Sequence, residues 1–481
     1  MNYRTVARLL GILLVVVAFC MATSIGWAAY YAEWGTLWAF VSASLLTLLI
    51  GGGLYFWGRR ESGTIGRREA LLVVTAGWVM IGLTGALPYM FDGAFTNFAD
   101  AFFETVSGFT TTGSTVLTNI EGISNGLHYW RALTHWLGGM GIVVLFIAIF
   151  PQLGVGAKHL FKSEVPGPIT DGLKPKIRET ASVLWKIYVG LTALECVLLY
   201  FAGMSVFDAV CHSFATMATG GFSTKNASVA QFESVPIDII ITLFMLLAGI
   251  NFALYFAALR GRLFNFFRDA EFRVYLGLVV LATLAVSIDI LSIHGDPLQA
   301  LRYGAFQVVA IVTTTGFGTD NFDLYPSFSK ILLVALMFVG GSAGSTAGGM
   351  KISRIMVLSK AAFVEVYHIF RPQAVRTVRL GRSIIPDEVT RSIFGFFALA
   401  AFVFVSGSLF MALLGLDIVS ATTSVVATLF NIGPGLAKVG AVENFAFIPT
   451  PGKIFLSFCM ILGRLEFYTI LVLLVPDFWK R

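Results

Sequence analysis

Ten stretches of the chain, at about 8–31, 36–57, 70–91, 128–150, 181–204, 237–259, 272–293, 329–358, 391–415 and 452–478, are apolar over some twenty residues or more and bounded by charged or turn residues. A helix needs about 20 such residues to cross the roughly 30 Å of hydrocarbon in a bilayer, where every backbone polar group must find its partner within the protein. That feature predicts an all-α polytopic membrane protein. Composition agrees, since hydrophobic residues make up 57% of the chain and charged residues only 12%, against about 25% charge in soluble domains. A soluble enzyme, a disordered chain and a nucleic-acid binder are excluded on that ground, so the formal charge of +6 needs another explanation. Cys20, Cys196, Cys211 and Cys459 sit inside apolar stretches without metal or redox spacing and read as small packing residues. The run from Leu9 to Tyr30 behind Arg4 and Arg8 is too long for a signal-peptide core and is expected to be an uncleaved first span.

Cytoplasmic loops collect Lys and Arg, which explains the basic excess. Arg4, Arg8, Arg59, Arg60, Arg67, Arg68, Lys158, Lys162, Lys174, Lys176, Arg178, Arg260, Arg262, Arg268, Arg273, the segment from Lys351 to Arg391, Lys480 and Arg481 hold 25 of the 33 basic residues. With ten spans they all fall on one side, and both termini are expected in the cytoplasm. The outer loops carry chiefly Lys225, Lys330, Lys438 and Lys453, together with Glu121, Glu233, Asp296, Asp320, Asp323 and Glu443. This holds only if four shorter apolar stretches, at about 97–112, 206–220, 299–315 and 418–431, enter and leave from the outer side. A short helix going in and an extended strand coming out is the simplest such element.

An internal repeat supports that element. After the four short stretches come Thr110-Thr111-Thr112-Gly113-Ser114-Thr115, Ala218-Thr219-Gly220-Gly221-Phe222-Ser223-Thr224, Thr313-Thr314-Thr315-Gly316-Phe317-Gly318-Thr319 and Phe430-Asn431-Ile432-Gly433-Pro434-Gly435. Each unit runs span, short helix, Gly segment, span, and two extra spans precede the first unit. Non-helical backbone at membrane depth is tolerated where protein covers it or where it lines a water-filled path, and carbonyls lining such a path can replace a cation's hydration shell. Turning successive carbonyls toward one axis requires φ > 0, which Gly adopts cheaply, and one aligned Gly per strand meets that demand. Neighbouring hydroxyls can line the path without charge, while the C-terminal end of each short helix turns a partial negative charge toward a cation.

These four linked units, with their Thr-Thr-Gly, Gly-Gly-Phe, Thr-Gly-Phe-Gly and Asn-Ile-Gly-Pro segments, resemble the superfamily of bacterial, fungal and plant potassium transporters, and specifically its bacterial Trk-type membrane subunit. The two extra N-terminal spans match that subunit better than the shorter Ktr-type one, and Trp130 to Gly141 and Gly463-Arg464-Leu465-Glu466 match as well. The resemblance implies a pseudo-fourfold arrangement of four covalently linked span, pore-loop, span repeats plus two extra N-terminal spans: residues 1–68 as the two-span domain, then repeats at 69–178, 179–268, 269–385 and 386–481. It implies potassium binding at Thr111, Thr112, Gly113 and Ser114, at Thr219, Gly220, Gly221 and Phe222, at Thr314, Thr315, Gly316 and Phe317, and at Asn431, Ile432, Gly433 and Pro434. It also implies K⁺ as the transported ion without a bound cofactor, a homodimer on a cytosolic nucleotide-binding regulatory ring, lipid neighbours and a place in the bacterial inner membrane.

Beyond Ile331 to Val339 the eighth stretch reaches Gly340, Gly341, Ser342, Ala343, Gly344, Ser345, Thr346, Ala347, Gly348, Gly349, Met350 and Lys351. Five glycines in ten positions cost a helix about 4–5 kcal/mol relative to alanine, which predicts a break: either a mobile loop occluding the pore below the third Gly segment, as the resemblance implies, or small residues letting helices approach. Arg464 falls well inside the tenth stretch, where an unpaired charge costs at least a few kcal/mol. Either it lies in the pore near that loop and repels cations, as in the family, or it forms an ion pair with another helix. His128 and His135 share a helix face without a third ligand and read as packing residues. Gly316-Phe317-Gly318-Thr319-Asp320 departs from the spacing of membrane aspartyl proteases and leaves that enzyme a distant alternative, and no GxxxxGK[ST] occurs. The basic residues Arg371, Arg376, Arg379 and Arg382 are consistent with positive-inside bias, ring docking or anionic lipid. Glu104 and Glu195 look isolated, without the chain of buried carboxylates a proton relay uses, so channel-like uptake is favoured over a proton- or sodium-coupled symporter.

Overall fold

The computed structural model describes residues 1–59, 66–141, 177–261, 264–374, 376–381 and 383–480. Six helices, Tyr3–Tyr30, Trp34–Gly58, Arg67–Asp92, Ser182–Phe201, Ala270–His294 and Asp387–Leu413, are long and apolar enough to cross a membrane, and eight spans result if each of two bent helix pairs counts as one. The chain is a mostly helical, multi-pass membrane protein. Its exposed side chains fit that solvent: Leu281, Ile288, Phe402 and Leu413 face outward from these helices, the reverse of a soluble protein. The first two helices pack as a hairpin whose backbones touch, for a Cβ on Gly58 would lie 2.3 Å from the Arg4 carbonyl oxygen. Small residues allow such approach where apolar burial offers no driving force between helices.

Three expected spans are broken. The stretch at 329–358 divides into Ser327–Val339 and Ile352–Phe370, as its glycines predict. The stretches at 237–259 and 452–478 read as continuous in the sequence, yet the first bends by 93° between Val235–Ala248 and Phe252–Leu259 and the second by 112° between Thr450–Leu465 and Phe467–Leu474. At the first bend Asn251 caps the new helix by accepting the Ala253 N–H at 2.9 Å; at the second, Glu466 takes φ 60°. The stretch at 128–150 is a helix over Asn125–Gly139, and its remainder from 142 lies outside the described residues, as do Arg60, Lys158, Lys162, Lys174, Lys176, Arg262, Arg382 and Arg481.

The four short stretches form helices Phe98–Phe109, Val206–Met217, Pro297–Val312 and Ile418–Leu429, which we number as pore helices 1 to 4. At about 1.5 Å per residue the twelve-residue helices reach about 18 Å, just over halfway through the hydrocarbon. Each begins on a side-chain cap: Asn97 accepts from Ala99 N–H at 3.0 Å, Ser205 from Asp208 at 3.0 Å, Asp296 from Leu298 and Gln299 at 3.2 Å, and Asp417 from Ser420 at 3.1 Å. The caps satisfy N–H groups that the first helical turn leaves free. Nearly every residue in the inner half of each pore helix is buried, so the Gly segments that follow emerge in the centre of the molecule.

Candidate conduction site

All four pore helices end in the same way. The residue in the left-handed region is Thr111 (φ 56°), Thr219 (55°), Thr314 (59°) and Asn431 (55°). Around each of the first three, its own N–H bonds three residues back and the next N–H five back, as in Thr111 to Gly108 at 3.0 Å and Thr112 to Ser107 at 2.9 Å; Asn431 and Ile432 repeat the pattern toward Thr428 and Ala427. This is the Schellman termination, in which glycine is usual. Two residues later the chain turns left-handed again, at Gly113 (φ 85°), Gly221 (80°), Gly316 (75°) and Gly433 (107°). Sequence reasoning expected one such residue per strand and missed the other, because at three of the four positions it is a β-branched Thr, for which φ > 0 costs about 1–2 kcal/mol, and only Asn431 is of a type that visits this region readily.

The second turn builds a closed ring. A Cβ on Gly113 would stand 2.1 Å from the Gly220 carbonyl oxygen, one on Gly221 2.0 Å from that of Thr315, one on Gly316 2.0 Å from that of Ile432, and one on Gly433 2.8 Å from that of Thr112. Segment 1 therefore meets 2, 2 meets 3, 3 meets 4 and 4 returns to 1. Side chains reinforce the closing contact, with Ser114 Oγ donating to Gly433 O at 2.8 Å and Asn431 Nδ2 donating to Thr112 Oγ1 at 2.9 Å. The hydroxyls of Thr112 and Thr315 turn back onto Thr110 and Thr313 at 2.8 Å. Phe222 and Phe317 are buried behind the ring against His135 and His212.

A cavity of about 150 Å³ lies on one side of the ring, lined in part by Gly113, Ser114, Gly221, Gly316 and Gly433. On the same side the Asp323 carboxylate accepts the Ala437 N–H at 2.9 Å, joining the loops that follow the third and fourth Gly segments, and burial holds that carboxyl above its ordinary value. Below the ring lies a second cavity of about 130 Å³, bordered by Asn431, Lys351, Arg354, Arg464 and Glu466 and by residues 344–349.

The loop at 340–351 crosses this lower side. Gly340, Gly344 and Gly349 have φ of 76°, 73° and 74° and Lys351 has φ 73°, which accounts for the glycine content. The Gly348 N–H donates to Thr314 Oγ1 at 2.6 Å and the Gly349 N–H to the Phe430 carbonyl at 3.0 Å, so the loop docks beneath segments 3 and 4. It is tied on its other side by Ser342 N–H to Gly249 O at 3.0 Å and Thr346 Oγ1 to Ala248 O at 3.2 Å, both at the bend of the sixth span, and by Ala343 N–H to Glu271 at 2.7 Å. Gly341 packs on Ala347, and Ser345 Oγ and Lys351 Nζ return to the Ser342 and Ala347 carbonyls.

Arg464 does not sit mid-helix as its place in the tenth stretch suggested; it occupies the last turn before the bend at Glu466. Its guanidinium donates to Thr111 Oγ1 at 3.2 Å, to Thr346 O in the loop at 3.1 Å and to the carbonyls of Gly138 and Gly139. One side chain thus joins the foot of segment 1 to the loop. Glu466 turns to Arg354. Glu104, read as isolated, is paired with Arg131 at 2.9 Å. Among the described residues no group of three or more His, Cys, Asp or Glu could hold a metal ion.

The sequence pattern of one family, TrkH, described as "Cation transport protein", matches residues 37–481. The chain belongs to that family. It is 41% identical to the Trk system potassium uptake protein TrkH of Salmonella typhimurium and 40% identical to that of Escherichia coli K12, in each case over the whole of both chains. The crystal structure of the potassium transporter TrkH from Vibrio parahaemolyticus superposes with a TM-score of 0.90 at 37% identity, again over the full length of both. Membership makes the chain a cation transport protein and not an enzyme, which removes the aspartyl-protease alternative. Asp289 meanwhile accepts from the N–H and hydroxyl of Ser329, and Asp320 faces His294.

Proposed function

We propose that the chain takes up potassium across the bacterial inner membrane through the central ring, in channel-like fashion and driven by the membrane potential. The observation that carries the reading is the cyclic contact in which the carbonyls of Thr112, Gly220, Thr315 and Ile432 each abut the glycine of another segment. Neutral carbonyls at membrane depth suit a dehydrated monovalent cation, and the relatives' names, potassium uptake protein and potassium transporter, supply the ion. The potassium-binding filter is assigned to residues 111–114, 219–222, 314–317 and 431–434, with the partial negative ends of the pore helices behind it.

Residues 340–349, with Lys351 and Arg464, act as the gate. Lys351, Arg354 and Arg464 face Glu466 around the lower cavity, a basic excess that opposes cation entry until the loop and Arg464 withdraw. The repeat boundaries at 68, 178, 268 and 385 follow the recurrence of helix, Gly segment and span. Both termini lie in the cytoplasm in this reading, on the side whose loops collect the basic residues. The partners are a second copy of the chain, a cytosolic nucleotide-binding ring, which Arg371, Arg376 and Arg379 would meet, and membrane lipids.

The test is rubidium or potassium flux into liposomes containing the purified chain, with sodium and proton gradients imposed in turn. Flux that follows the membrane potential alone supports the reading. Flux that requires a sodium or proton gradient replaces it with coupled symport.

A further inference from the structure

Nine residues before its filter glycine, each pore helix carries a fully buried polar side chain: Glu104, His212, Gln307 and Ser424. The first three reach forward to the chain leaving the filter. Glu104 accepts from Thr115 Oγ1 at 2.9 Å and from Val116 N–H at 3.0 Å. His212 Nδ1 lies 2.8 Å from the Asp208 carbonyl, which can only accept, so Nδ1 carries the proton and Nε2 accepts from Ser223 Oγ at 2.9 Å. Gln307 Nε2 donates to Asp320 O at 3.2 Å, whereas Ser424 donates back to Ala421 O in its own helix.

The brace of the first repeat differs in kind. Arg131, from the span that follows, donates from Nε to Glu104 at 2.9 Å and from Nη1 to the Ser223 carbonyl of strand 2 at 3.1 Å, and its guanidinium lies 4.1 Å from the Phe222 ring centroid. The side chains are 2% and 0% exposed. A buried ion pair is weak evidence for stability, since desolvation offsets its attraction. What it fixes is geometry, because both carboxylate oxygens are engaged and the rigid guanidinium fork reaches two strands at once.

We propose that Glu104 and Arg131 are positioning residues for ion selection, clamping strand 1 to strand 2 so that the carbonyls of Thr112 and Gly220 keep a spacing suited to potassium. The proposal rests on the filter reading above. Glu104→Gln turns an amide donor toward donors it cannot satisfy, and Arg131→Lys keeps the charge but loses the fork. In liposomes, with rubidium uptake measured against competing sodium, both variants are expected to conduct with at least tenfold weaker discrimination, while Glu104→Asp retains most of it. Should either single variant fail to fold, the double variant Glu104→Gln/Arg131→Met removes both charges and gives the same readout. Full discrimination in a folded Glu104→Gln, Arg131→Lys or double variant overturns the proposal, and so does loss of the folded protein in every variant including Glu104→Asp, since the pair is then structural. Gly113→Ser, measured alongside, separates the two readings: if it alone loses discrimination the clamp is wrong, and if it too discriminates normally the filter assignment is wrong.

Discussion

The four glycines of the ring are not equivalent, and their substitution by alanine tests its geometry directly. In Gly113→Ala, Gly221→Ala and Gly316→Ala the new methyl would lie 2.1, 2.0 and 2.0 Å from a neighbouring carbonyl oxygen, where ordinary contact begins near 3.4 Å; in Gly433→Ala the separation is 2.8 Å. The first three therefore require the neighbouring carbonyl to retreat by more than an ångström, and the fourth by about half of that. Each also acquires the left-handed penalty of about 1–2 kcal/mol. A carbonyl moved so far no longer faces a cation on the axis; taking the roughly 1.5–3 kcal/mol of a hydrogen bond to a charged group as the scale of one such contact, discrimination changes by about 10- to 150-fold. Potassium-over-sodium discrimination, read from rubidium uptake in liposomes under sodium competition, should fall by that range in the first three and by less than about tenfold in Gly433→Ala. Equal damage at all four positions, or greater damage at Gly433 than at Gly316, would refute the ring geometry.

Arg464→Ala should raise basal potassium flux severalfold, since it removes a cation that touches both Thr111 and the loop; folded protein with unchanged flux would assign Arg464 a purely structural role. Deleting part of 342–348 should raise ion leak in the same assay, whereas unaltered flux with reduced expression would mark the loop as packing. Thr314→Val keeps the shape of the side chain but removes the acceptor of the Gly348 N–H, and should likewise favour the conducting state, seen as higher single-channel open probability. Asp417 is held below its usual pKa of 3.8 by the hydrogen bonds it accepts from Ser420, first from the hydroxyl and then from the N–H. Its contribution is present above that value and lost as pH falls through the depressed one. Asp417→Ala should lower stability by about 1 kcal/mol near pH 7, while Asp417→Asn, which caps nearly as well, should only flatten the acid limb of the melting-temperature profile.

Most of the architecture was legible along the chain because the bilayer makes it so. A solvent without hydrogen bonds forces apolar residues into helices of one length, and four Gly segments, each between a short helix and a span, leave few other arrangements. The break at 340–351 was legible for the same reason, through the glycine count. The bends after Ala248 and at Glu466 were not, since Gly249-Ile250-Asn251 and Arg464-Leu465-Glu466 carry only a weak local signal. Asn251 and Glu466 acquire meaning only when the loop and Arg354 arrive from elsewhere in the chain.

The sequence by itself determined the class, the four short helices and the glycine that turns left-handed after each, because periodicity, hydropathy and left-handed propensity are local properties. Only the tertiary structure decided that Thr111, Thr219, Thr314 and Asn431 would bear the second left-handed turn, that Glu104 has Arg131 for a partner, and that Arg464 spans from Thr111 to Thr346. Those are contacts between residues as many as 353 positions apart. Their strain and burial are tolerable because packed neighbours complete the hydrogen bonds, and no window of sequence holds those neighbours.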